Sequence, residues 1–505
     1  VSSLAAVYTR ALLGLDAPLV TVEVHASNGL PALSLVGLPE ASVRESKERV
    51  RSALMSSQFQ LPPMRITLNL APADLPKVGS RYDLPIAIGI LQATGQLEAN
   101  TAGFELFGEL GLDGQLRPVA GILPSILAAN KAGRTAIIPE ANLEEASLLK
   151  EAKVLGASHL LEVCAFLTEK NTKMLKSPVP LVKEGLNYAE DLSDIVGQHQ
   201  AKRALEIAAS GRHPLLMVGP PGSGKSMLAK RLVTLLPPLS HEEAIEVAAI
   251  HSIAQVDTGS RSPFQPPYFS PHHTSTAPAL IGGGSHQPKP GAISLSHLGV
   301  LFLDELPEFN RSVLEALREP LENRAVHISR VNGHITYPAD FLLVAALNPS
   351  PSGFFPDDPQ NRCKDTPEQI QRYLKKISGP LLDRVDLQIE VPPVEVADLQ
   401  GKVDPNAETS EQVRARVAIC RQRQLTRQGC LNGELSPKQL QKQVVLTEPM
   451  QQLLQQAMNR LGLSARAYHS ILRVALTLAD MEATELEIKH LAEAIGYRNL
   501  DRLKA

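Results

Sequence analysis

Eight consecutive residues carry the clearest chemistry in the sequence: Gly219, Pro220, Pro221, Gly222, Ser223, Gly224, Lys225 and Ser226. Glycines at the first, fourth and sixth places let the main chain wrap closely round phosphates. The apolar run 215–218 just before reads as a short buried strand, and residues 227–236 just after read as a helix. The N–H groups at such a helix start face negative charge. Lys225 is then expected to reach the β and γ phosphates of ATP, with Ser226 ligating Mg2+. Strand, glycine-rich loop, Lys-Ser and helix occurring in that order argue against a chance turn.

A second apolar run, 299–303, ends in Asp304 and Glu305. Carboxylates at the C-terminal end of a buried strand stand where open α/β sheets bind ligands. Asp304 is expected to hold Mg2+ through water, and Glu305 to act as general base on the attacking water. The run 341–347 ends in Asn348, a polar residue suited to orienting that water. Arg384 lies at a helix end before the strand-like run 387–391. Such an arginine is commonly a surface ion pair, but in a ring it could stabilise charge on a neighbouring subunit's nucleotide. Arg466, in the first turn of a helix opening near Ser464, could touch the nucleotide from a lid. Arg473 reads as salt-bridged along that helix.

These residues need a scaffold, and 505 residues are too many for one core. The expected class is α/β, in three parts. Residues 1–172 form a mixed α/β domain, with strands at 19–25 and 65–70 and a helix at 40–54. The charges of that helix, Arg44, Glu45, Lys47, Glu48, Arg49 and Arg51, read as a solvated face. Residues 173–190 are a Pro/Gly-interrupted linker, 191–395 hold the nucleotide motifs, and 396–505 read as all helix. No run approaches the ~20 apolar residues of a membrane span, and the first residues do not read as a signal peptide. The four cysteines, Cys164, Cys363, Cys420 and Cys430, are scattered, which suits a reducing cytoplasmic setting. A net charge of -3 does not favour nucleic acid, so any DNA contact must be local or concentrated by a ring.

Together these motifs resemble the magnesium-chelatase-like branch of AAA+ ATPases. The resemblance is closer still to the bacterial ComM/YifB family, and it spans essentially the whole chain. Family-like phrases include residues 34–40, 69–76, Pro271-His272-His273-Thr274, Gly282-Gly283-Gly284 and 303–309. The resemblance implies a central AAA+ domain with a helix-2 insertion near 250–295, a hairpin before the Asn348 strand, and a C-terminal helical lid. It further implies a hexameric helicase that migrates DNA branches in natural transformation, acting on single-stranded or branched DNA beside recombination proteins. A chelatase-type or regulatory ATPase that remodels a partner protein is the alternative. A Lon-like N-terminal block argues against the chelatase-type motor.

Asn332-Gly333, flanked by alternating residues, is a preferred hairpin turn. By resemblance, this hairpin and the insertion project into a central pore, where Lys289, Arg330 and His334 could contact phosphates. The bland reading is a solvated hairpin with incidental charges. Six copies would multiply a weak basic tip into a charged ring. The N-terminal block resembles the Lon protease domain without its dyad. Ser80 is a nearby hydroxyl, Asp83 lies where the nucleophile turn would be, and Leu123 occupies the place of the lysine. A binding or ring-organising module is therefore expected, not a protease. Where many relatives carry four cysteines for zinc, this chain has Ser350, Ser352, Cys363 and Asp365, so no zinc is expected. His272 and His273 are adjacent and cannot pair as ligands by helical spacing.

Overall fold

The computed structural model describes residues 3–498 apart from 38–40, 170–174, 180, 182–184, 258, 260, 285–287, 331–332 and 394–406; the side chains of residues 41, 42 and 330 also lie outside it. Alternation in the first block produces a seven-stranded sheet. Its spatial order is Ala32–Val36, Arg65–Ala71, Leu19–Ser27, Ser3–Arg10, Phe104–Leu106, Thr135–Pro139 and Val154–Ala157. Val20, Val22, Val24 and Ala26 all turn inward from one strand. Gly89 lets the helix Asp83–Ala93 lie close on this sheet, since a Cβ there would stand 2.6 Å from the Val24 side chain.

The helix expected at 40–54 runs Ala41–Ser56. One of its charges departs from a solvated face. Arg49 turns inward, with Nε 2.7 Å from the carboxylate of Asp83, which is fully buried. Asp83 would be an unpaired buried charge without that partner, so local charge pattern lost to a long-range ion pair.

The central block builds a five-stranded parallel sheet in the order Tyr268–Phe269, Val300–Leu303, Leu342–Leu347, Leu215–Val218 and Leu387–Glu390. Its three middle strands are buried throughout, which is why they read as unbroken apolar runs. Parallel alignment brings the ends of all three to one edge, so the loops after Val218, Leu303 and Leu347 meet there. The edge strand Tyr268–Phe269 falls inside the insertion and was not legible as a strand.

Four long helices, Ser410–Gln428, Glu448–Leu461, Ala465–Glu482 and Ile488–Gly496, make the C-terminal part. They share one apolar core with the sheet: Leu215, Val344 and Ile389 sit in the same cluster as Val417, Ile471 and Leu491. A buried polar seam crosses that junction. His213 Nδ1 is 2.9 Å from Asp386 Oδ2, its Nε2 is 2.8 Å from Thr477 Oγ1, and Ser470 donates to Asp386. The first domain docks on the insertion side, where Gly121 N–H donates to Ser252 O at 3.0 Å and Leu12 and Leu15 pack against the cluster that holds Ile335 and Tyr337. Among the described residues no helix is long and apolar enough to cross a membrane.

Candidate nucleotide site

The glycine-rich loop leaves the Leu215–Val218 strand and enters a helix at Lys225, two residues earlier than expected. Gly222 and Gly224 have φ of 78° and 89°, the left-handed region that suits glycine. A Cβ on Gly219 would stand 2.2 Å from the Val391 carbonyl. Lys225 is buried, and its Nζ donates to Gly219 O (2.6 Å), Pro220 O (2.9 Å) and Asn348 Oδ1 (3.3 Å). Burial lowers its pKa from the usual lysine value, while facing Asp304 and Glu305 oppose that shift. Asn348 therefore stands at the cation.

Ser226 Oγ donates to Asp304 Oδ2 at 2.7 Å, so the two side chains expected to hold Mg2+ are in contact. Ser223 Oγ is buried with no partner. An orphan donor, a cation held only by neutral oxygens, and a hydroxyl-carboxylate pair fit a Mg2+-nucleotide. Pro221 packs beside Gly353, whose Cβ would stand 2.9 Å away. Glu305 has φ of 51° and a half-exposed side chain, and its Oε2 lies 3.0 Å from His273 Nδ1. The adjacency of His272 and His273 gave no hint of this contact.

Arg384 and Arg466 come together, but on Glu322. Arg384 Nη2 donates to Glu322 Oε1, and Arg466 Nη2 donates to the same oxygen at 3.0 Å. The charges facing Lys225 are instead Asp304 and Glu305. Arg384 Nη1 also holds Pro380 O at 2.7 Å, and its Nε is buried without a partner. Among the described residues Arg473 makes no ion pair along its helix; its Nε donates to Leu435 O at 3.0 Å. Glu322 carries no local signal, since its role depends on two arginines more than sixty residues away.

The hairpin forms from Ala325–Arg330 and Gly333–Pro338, with Arg330 opposite Gly333. The Asn332 half of its turn and the Arg330 side chain lie outside the described residues. His334 is exposed, with Nδ1 2.9 Å from Ser329 Oγ. Lys289 is exposed on a two-residue strand paired with Gly283. Tyr337 OH donates to Pro288 O at 2.8 Å, and Leu280, Ile293, Ile328 and Ile335 share one cluster. Insertion and hairpin thus form one packed unit.

Ser350, Ser352, Cys363 and Asp365 converge as well. Ser350 and Ser352 hydroxyls are 3.1 Å apart, each lies 3.8 Å from Cys363 Sγ, and Ser352 N–H donates to Asp365 at 2.7 Å. Hydrogen bonds close this loop, and no group of three or more His, Cys, Asp or Glu suited to a metal occurs among the described residues. In the first domain, Ser80 Oγ donates to Glu109 and the buried Lys77 to Pro72 O, while Leu123 is buried among apolar side chains.

Three family models match: magnesium chelatase, subunit ChlI, over residues 191–399; subunit ChlI of Mg-chelatase over 22–142; and magnesium chelatase, subunit ChlI C-terminal, over 407–498. The chain is 51% identical over 508 residues to competence protein ComM of Haemophilus influenzae, covering 99% of this chain and 98% of that one. The chain belongs to the ComM/YifB family of magnesium-chelatase-like proteins. An uncharacterised YifB protein of Salmonella typhimurium is 49% identical over 503 residues, covering 99% of this chain and 98% of that one. Lon protease 2 of Bacillus subtilis is 28% identical over 226 residues, 40% of each chain. The family is one of AAA ATPases, with an α/β N-terminal ChlI domain, a central AAA domain and a C-terminal helical domain. Because a ChlI model also covers the first block, that block does not by itself separate a DNA motor from a chelatase-type motor.

Proposed function

We propose that this ATPase is a ring-forming DNA motor, a hexameric helicase that promotes branch migration of recombining DNA during natural transformation. The contacts of Lys225 with Asn348 and of Ser226 with Asp304 at one sheet edge carry the nucleotide half of this reading. The DNA half is supported by full-length likeness to a protein named for competence, and by the packed unit of insertion and hairpin.

In this reading Lys225 gives up its carbonyl partners for the β and γ phosphates. Ser226 and Asp304 hold Mg2+, which when bound neutralises charge on the phosphate oxygens. Glu305 takes the proton of the attacking water, and Asn348 orients that water. Arg384 of a neighbouring subunit stabilises the charge that develops, with Arg466 beside it. Lys289, Arg330 and His334 meet DNA phosphates, and the N-terminal domain organises the ring without proteolysis. The test is steady-state ATP turnover with and without a forked duplex. Marked stimulation is expected; turnover indifferent to every DNA form would favour the remodelling of a partner protein.

A further inference from the structure

Glu322 gathers two arginines that the sequence keeps far apart. It lies on the short helix Arg318–Asn323, which is seated by the buried Leu317 and Pro320 and runs straight into the hairpin. Arg384 arrives from the core, two residues past the helix Gly379–Leu382. Arg466 arrives from the lid, in the first turn of Ala465–Glu482. Both donate through Nη2 to one oxygen, Glu322 Oε1. The carboxylate thus ties the ATPase core to the lid at a single atom.

Two guanidinium groups brought to one point repel each other. Burial, and then the Arg466 charge, lower the Arg384 pKa, while Glu322 opposes both. Arg466, ahead of Arg384, holds the Glu322 carboxyl below the usual value. Glu322 and Arg466 side chains are half-exposed, at 48% and 45%. Ion pairs this open to water contribute little to stability, so what the contact sets is geometry. Arg384 Nη1 is held by Pro380 O, so its guanidinium is oriented from both ends. Arg466 Nε and Nη1 have no hydrogen bond among the described residues. Two cations on one anion leave surplus positive charge with donors to spare, which fits a phosphate.

We propose that Glu322 is a positioning residue: its carboxylate holds Arg384 of the core and Arg466 of the lid side by side, as one preorganised cationic unit for the nucleotide of the next subunit. This rests on the reading that both arginines act across a subunit interface, and it adds the residue that sets their geometry.

The experiment is ATP turnover by the full chain across an ATP series without DNA, for single variants and for mixed rings. Glu322→Ala should lower kcat about a hundredfold, the cost of misplacing a group by about 1 Å, with KM for ATP unchanged. Glu322→Gln keeps an acceptor oxygen but loses the charge that offsets the repulsion, so it should recover part of that loss. Mixed with Glu305→Gln, Glu322→Ala should regain turnover, because one interface type then has both faces intact. Mixed with Arg384→Ala it should regain none, since both changes lie on the same face. A wild-type or raised kcat in Glu322→Ala would overturn the proposal, as would recovery beside Arg384→Ala or none beside Glu305→Gln. Should Glu322→Ala not fold, Glu322→Gln decides in its place: wild-type kcat there overturns the proposal. If Arg384→Ala itself finds no recovery beside Glu305→Gln, the reading across the interface fails and takes this inference with it. If Arg384→Ala recovers while Glu322→Ala keeps wild-type kcat, only this inference fails.

Discussion

At the scale of residues, the roles proposed for Lys225 and Glu305 are separable. Lys225→Ala removes the cation held by the loop's own carbonyls, and tight ATP binding should be lost. Glu305→Gln keeps shape and leaves the Ser226–Asp304 pair untouched, so ATP should bind while turnover falls by about a hundredfold or more, the usual worth of a general base. Nucleotide titration beside turnover measures both; equal loss of affinity in the two variants would contradict the division. The loop, Asp304, Glu305 and Asn348 were legible because each motif is local and ends a buried strand. His273 and Glu322 were not, because their partners lie far along the chain and neither type nor spacing announces the contact. Arg49 was misread for the same reason: its helix pattern says solvent, and only the buried Asp83 explains its inward turn.

At the scale of elements, strands and the long lid helices read well from period and buried runs, whereas the two-residue edge strand Tyr268–Phe269 is too short to carry a period. The hairpin read well from alternation, yet its tie to the insertion through Tyr337 and Pro288 needed the fold. Arg330→Ala should weaken DNA binding without sequence preference and flatten its salt dependence by about one counterion per lost contact. Basal turnover should survive, since the hydrogen bonds of Lys225, Ser226 and Asp304 do not involve the hairpin. Binding isotherms across a salt series check this; an unchanged slope would remove Arg330 from the DNA path. The seam between sheet and lid makes a different prediction. Burial pushes the Asp386 carboxyl up, but His213, the Arg473 charge and Ser470 outweigh it and leave its pKa below the usual value. Its stabilisation is therefore present above the ordinary carboxylate range, near ~3.9, and is lost as pH falls below it. Asp386→Ala should cost about 3 kcal/mol at neutral pH and flatten the acid side of the stability profile, read by denaturant unfolding across pH. An unaltered profile would contradict a role for the seam in docking the lid.

At the scale of the whole molecule, the roles proposed for Arg384 and Arg466 require neighbouring subunits. Arg384 and Arg466 reach Glu322 rather than the P-loop of their own chain, which suits a task at another subunit's nucleotide. Arg384→Ala should bind ATP and fail to hydrolyse it, and mixing it with Glu305→Gln should restore turnover at the interface type where both groups are intact. Mixed rings that stay inactive at every ratio would count against action in trans. The three-part organisation was visible in composition and pattern, but the docking of the first domain on the insertion was not, because it depends on surfaces that no local motif marks. The claim that matters most is that ATP hydrolysis moves DNA. A labelled four-way junction with homologous arms, incubated with the full chain, Mg2+ and ATP, measures it directly. Wild type should convert the junction to duplex products in an ATP-dependent course, with Glu305→Gln inert although still bound to ATP. Robust, DNA-stimulated turnover with no movement of any junction or fork would contradict the account.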